Sequence, residues 1–96
     1  MAAYVISRVD ISNPEGMLQY QNEVPPLVEA FGGKYLVRGN AVEALEGTWD
    51  HDRMVVVEFP TKEAALAWYH SQEYRPLRDL RHRSAQAIIL LAEGIA

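Results

Sequence analysis

Met54-Val55-Val56-Val57-Glu58-Phe59-Pro60 is the strongest strand signal in the chain. Three consecutive β-branched residues and an aromatic favour extended backbone, and the proline stops it. Both faces of the run are apolar except at Glu58, which suits a central strand covered on two sides. The residues before it supply further strands of the same sheet, and those after it supply cover.

Working outward, Lys34 to Gly39 reads as the preceding strand, with Tyr35 and Val37 on one face and Leu36 and Arg38 on the other. Gly39-Asn40 suggests a bulge or bend, after which Ala41 to Leu45 is expected to continue extended. Gly47 to Asp52 carries turn chemistry, so the two strands form an antiparallel pair. Tyr4 to Ile11 is the first strand. It sets Val5, Ser7, Val9 and Ile11 on one face and Tyr4, Ile6, Arg8 and Asp10 on the other.

Asn13-Pro14-Glu15 opens a helix: a capping amide, a proline at the first position and an acid at the positive end of the dipole. Met17, Tyr20, Val24, Leu27, Val28 and Phe31 form its apolar stripe. Pro25-Pro26 predicts a kink or restart near Val24, and Gly32-Gly33 ends the helix. Thr61 caps a second helix whose buried side is Ala64, Ala65, Trp68 and Tyr69. Ser71 to Glu73 reads as another cap, before a short helix opened by Pro76. There Leu77 and Leu80 point inward and the arginines outward. Ala85 to Glu93 is the last strand. The order strand, helix, strand, strand, helix, strand is α+β, the split βαβ arrangement of a ferredoxin-like domain with a four-stranded antiparallel sheet.

The 96 residues make one domain, 1–96, small enough to gain from burying surface in an oligomer. A net charge of −4 without a basic face excludes a general nucleic-acid binder. The absence of cysteine excludes disulfides, thiolate catalysis and cysteine-ligated metals. No signal-peptide or membrane-span pattern is present, so a cytoplasmic location is the default expectation.

Strand parity carries one step further. With the helices on Val5, Val9, Val37, Val55, Val57 and Phe59, the other face receives Ile6, Arg8, Leu36, Arg38, Met54, Val56 and Glu58. That second face is too apolar to stay bare. A second copy of the sheet across a two-fold axis is the expected cover, and the charges would then line a shared pocket between sheet faces.

Phe31-Gly32-Gly33-Lys34-Tyr35-Leu36-Val37-Arg38-Gly39, Leu45-Glu46-Gly47-Thr48-Trp49, Val57-Glu58-Phe59-Pro60, Ala64 to Tyr74 and Leu80-Arg81 together resemble the domain of unknown function family 1330. The resemblance covers nearly the whole chain. It implies a dimeric α/β barrel, in a superfamily that includes cofactor-independent monooxygenases, lactone isomerases and haem-dependent relatives. It implies no particular activity.

On the residues themselves, Arg8, Arg38 and Glu58 suit a small oxygenated organic acid. Arginine's planar fork matches a carboxylate or enolate, and Glu58 is the candidate base. The bland alternative is an interface ion pair that satisfies its own charges. His70 is a candidate acid or base, or equally a helix C-terminal cap. Trp49 and Tyr74 are candidate pocket walls, or core. The arginines at 75, 78, 81 and 83 read as a solvated helix face, with binding of an anionic partner as the alternative. His51 between Asp50 and Asp52 lacks the third element a metal needs, so no metal and no cofactor are expected. Two functions follow: a small-molecule binder or enzyme working by proton transfer or cofactor-independent oxygenation or isomerisation, or a non-catalytic homodimeric ligand-sensing or interaction module.

Overall fold

The computed structural model describes residues 1–95. Seven elements run in the order β1 (Ala3–Ile11), α1 (Pro14–Ala30), β2 (Lys34–Gly39), β3 (Arg53–Phe59), α2 (Lys62–Tyr69), α3 (Arg75–Ser84) and β4 (Ala85–Glu93). The strands form one antiparallel sheet in the order β2-β3-β1-β4. This is the ferredoxin-like α+β arrangement expected from the sequence, with the short helix opened near Pro76 present as α3.

The apolar run at β3 lies inside the sheet, between β2 and β1. Val57 and Phe59 are buried on the helix side and face Val5 and Ala3 across the β1 ladder. Val24 and Val28 from α1, and Ala65, Trp68 and Tyr74 from α2 and the turn after it, close over them as one core. Burial of this apolar surface is the main term holding the helices on the sheet.

The starts of α1 and α2 follow the capping logic of the sequence, while α3 begins after Tyr74 with no side-chain cap rather than being capped within Ser71 to Glu73. Asn13 Oδ1 accepts from Gly16 N at 3.4 Å, and Thr61 Oγ1 accepts from Ala64 N at 3.1 Å. Ser71 Oγ donates to Trp68 O and accepts from Tyr74 N, which locks the turn between α2 and α3. At the end of α1, Gly32 takes a positive φ of 86° that a residue with a side chain would resist.

Three local expectations change. The double proline does not restart α1, which is one helix of 17 residues containing Pro25 and Pro26. Its buried Met17, Val24 and Val28 lie on both sides of the break in hydrogen bonding and seat the two halves on one core. Residues 41–45 form no strand; the stretch is largely exposed, and Leu45 is 91% accessible. The bulge in β2 comes earlier than Gly39-Asn40. Tyr35 pairs with Val57 but Val37 pairs with Val56, so the register slips between them. One extra residue on a strand reverses the facing of everything beyond it. Val37 therefore turns to the open face of the sheet. Arg38, opposite Val55, turns toward the helices.

Candidate functional site

The last turns of α3 hold the unusual residue. Tyr74, Leu77, Arg81 and Ser84 recur at helical spacing along the side that faces α1 and the sheet, and Arg81 is carried inside with them. Only 4% of Arg81 is accessible. Its Nε and Nη2 are buried and have no hydrogen-bond partner in the chain. Burial works to lower the pKa of this guanidinium, but the oxygens of Tyr74 and Tyr20 outweigh it and the group is held protonated. A buried cation with free donors is costly unless something accepts from them.

Around Arg81 lies a cavity of about 50 Å³ between α1, α3 and the sheet. Its aromatic and cationic wall residues are placed there by local structure, and Ser7 and Gln21 line it as well. Tyr20 comes from the α1 stripe, and its hydroxyl lies 2.7 Å from that of Tyr74. Burial raises the pKa of Tyr20 well above the ordinary phenol value, and Tyr74 adds to the effect. Tyr35 is the last β2 residue before the bulge; burial pushes its hydroxyl up to about 12, against the opposing influence of Arg38. Arg38 is brought in by the bulge and sits over the Tyr35 ring at 5.2 Å. Arg53 begins β3 opposite Val9, on the same face as Arg38. Its pKa is lowered, first by burial and then by repulsion from Arg38. Val5, Val55 and Val57 form the apolar floor.

The charge on this wall is one-sided. Arg38, Arg53 and Arg81 all line the cavity, and no Asp, Glu or His does. Among the described residues none of the three arginines takes part in an ion pair. Trp68, also on the wall, has a buried Nε1 without a partner. Trp68 Nε1 and the two Arg81 nitrogens are buried donors without an acceptor, and Ser84 Oγ, on the same side of α3, is a further buried atom without a partner.

The residues singled out from the sequence separate into several places. Arg38 and Tyr74 meet at the cavity. Arg8 and Glu58 do not join them. They remain on the open face, where Arg8 pairs with Met54 and Glu58 with Tyr4. Those pairs are four residues apart along β1, about 13 Å of strand. Glu58 Oε2 accepts from the Tyr4 hydroxyl at 3.1 Å and raises that phenol's pKa. The constellation of Arg8, Arg38 and Glu58 is thus split across two faces by the bulge. His70 is the exposed C-cap residue of α2, edge-on to Tyr69, at a groove with Leu90 and Leu91. Trp49 lies against the His51 ring, away from the cavity. His51 Nδ1 bonds Asp10 Oδ2 at 2.8 Å, which holds the Asp10 carboxyl below its usual range. Asp52 Oδ2 accepts from Ile11 N at 2.7 Å. The loop before β3 is thereby latched to the end of β1, and no group of three potential ligands for a metal occurs among the described residues.

Tyr20, Tyr35, Arg53 and Arg81 were not singled out by sequence reasoning, and Arg81 is the main correction. Reading the arginines at 75, 78, 81 and 83 as one solvated face fails because a helix repeats every 3.6 residues. Arg75 and Arg83 are exposed, but Arg81 falls on the inward stripe. Arg78 is intermediate: its Nη1 donates to Tyr69 O at 3.2 Å, with the guanidinium over the Tyr69 ring.

A family model described as a domain of unknown function (DUF1330) matches residues 2–95. The chain belongs to this family. A search of curated proteins found no match. Solved structures share the fold at low identity. A protein of unknown function from Rhodopseudomonas palustris is 18% identical with a TM-score of 0.80, over 99% of this chain and 83% of that one. A dimeric ferredoxin-like protein of unknown function from Jannaschia sp. CCS1 is 10% identical with a TM-score of 0.72, over 98% and 100%. SnoaB, a cofactor-independent oxygenase from Streptomyces nogalater, is 8% identical with a TM-score of 0.70, over 99% and 94%. At these identities the likeness is one of fold.

Proposed function

We propose that this DUF1330 protein is a homodimer that binds a small oxygenated organic acid in the cavity between α1, α3 and the sheet. One observation carries the binding reading: Arg81 is buried with two donor nitrogens unpartnered. A carboxylate or enolate offers coplanar lone pairs that match a guanidinium edge. Arg38 and Arg53 add positive charge at the same cavity, and no side chain of the wall neutralises it. At about 50 Å³ the space is far below a drug-sized site and suits a ligand with few heavy atoms. With no carboxylate or imidazole on the wall to take a proton, the reading is of binding rather than a reaction step. A ligand-sensing role fits that, and the oxygenase chemistry of SnoaB is not carried over.

The dimer is proposed from the open face. Val37 is 41% accessible, Ile88 44% and Leu90 56%, and Ile6, Met54 and Val56 lie between them. A second copy of the same face across a two-fold axis covers such a patch symmetrically. Dimeric proteins with the same fold support a dimer here.

A thermal-shift screen of small organic acids tests the binding reading. A ligand at a hundred times its Kd adds about 2.7 kcal/mol of stability, roughly 10–20 °C for a domain near this size. Wild type is expected to shift with short acids, and Arg81→Lys, which keeps the charge but loses the fork, is expected to shift much less. Absence of any shift in wild type contradicts the reading, as does an equal shift in both.

A further inference from the structure

The three arginines of the cavity do not stand at one depth. Arg81 is 4% accessible and sits at the inner end, under the influence of the Tyr74 and Tyr20 hydroxyls. Arg53 is half-buried and Arg38 exposed, so these two form the outer end. They come from adjacent strands, opposite Val9 and Val55 respectively, and they repel one another. The inner end therefore holds a guanidinium with two unpartnered nitrogens, and the outer end two guanidiniums from neighbouring strands. Among the described residues no carboxylate is paired with any of the three.

A monocarboxylate that seats on Arg81 leaves the outer pair uncompensated. We propose that the ligand is a short dicarboxylate, with one carboxylate on Arg81 inside and the other on the Arg38–Arg53 pair at the rim. This rests on the anion-binding reading above and adds the ligand's second charge and its two-ended form. The small cavity volume fits the idea, because the inner space needs to take only one carboxylate head and a short spacer. The second head stays at the rim, where partial hydration lowers its desolvation cost. The outer pair also gives an incoming dianion a local field, so association is salt-dependent. A single compact dianion such as phosphate carries its charge at one centre rather than at two ends.

Isothermal titration at fixed ionic strength tests the proposal, with malonate and succinate set against propionate and butyrate, and inorganic phosphate as a separate arm. In wild type the better dicarboxylate is expected to bind at least about tenfold tighter than the monocarboxylate of equal chain length, the effect of one added charge-assisted contact. In Arg38→Gln/Arg53→Gln that advantage is expected to vanish, the dicarboxylate losing at least about tenfold more affinity than the monocarboxylate. Arg38→Gln alone, at an exposed position, reads the same loss should the double variant fold poorly. Equal binding of mono- and dicarboxylates overturns the two-ended ligand and leaves the anion-binding reading standing. An advantage that survives both variants overturns it too, as does phosphate binding tighter than either dicarboxylate. If no anion binds wild type, both readings fall together.

Discussion

Arg81 is a residue whose type and position disagree. Its charge assigns it to the surface, and its place in the stripe of Tyr74, Leu77 and Ser84 assigns it to the interior. Position prevails because the neighbouring large side chains fix which side of α3 meets the core. The same conflict shapes the phenols. Tyr35 is pushed up to about 12 and Tyr20 well above 10, in each case mainly by burial. An unfolded chain releases these protons near pH 10. A folded-state pKa raised above that value contributes stability that is fully present below pH 10 and is lost as pH rises toward 12 and beyond. Urea midpoints measured from pH 8 to 11 are therefore expected to hold until about pH 10 and then fall. The fall should be smaller in Tyr35→Phe. A flat profile to pH 11, or an identical fall in that variant, contradicts this account of the wall. Tyr74 was legible from its type as core material, and it is 1% accessible. Arg81 and Tyr20 were legible only by placing polar atoms on the apolar stripe and asking what they face.

At the scale of elements, the sequence gives clear notice of starts and stops, because caps are local chemistry. Asn13, Thr61 and Gly32 act where their types predict. The β2 bulge is different. Tyr35-Leu36-Val37 contains only good strand formers, so nothing local signals the extra residue, and strict alternation misplaces Val37 and Arg38 together. Pairing with β3 decides the register instead. The turn that feeds β2 is tightly constrained. A methyl group added at Gly33 would lie 2.5 Å from Val28 Cγ1 and 2.9 Å from Phe59 Cε1. Val28 and Phe59 are 1% and 0% accessible, so neither has room to retreat. Gly33→Ala is expected to cost about 1–3 kcal/mol in chemical denaturation, the range for overpacking a filled core. A loss below about 0.5 kcal/mol would show that the α1–β2 turn shifts freely.

For the whole molecule, the two faces of one sheet have separate tasks. The helix face builds the core and the cationic cavity, and the open face presents the apolar surface proposed to meet a second copy. Parity in the sequence separated the faces correctly for β1 and β3, and the apolar character of the open face was visible there. The location of the cationic cavity was not, because it depends on the facing of Arg38 and on the burial of Arg81. Val56→Asp places a charge in the middle of the open face, opposite Ile6. Light scattering is expected to give a dimer for wild type and a monomer or unfolded chain for the variant. A monodisperse Val56→Asp dimer would remove this face from the interface.

The central claim is that Arg81 offers free buried donors to an organic anion, and NMR observation of arginine Nε–H groups tests it at the atom concerned. Titration with a short carboxylic acid is expected to move the Arg81 Nε–H signal and slow its exchange with water, while the exposed Arg75 and Arg83 signals stay in place. An unmoved Arg81 signal under saturating acid, or equal movement of all three, would contradict it.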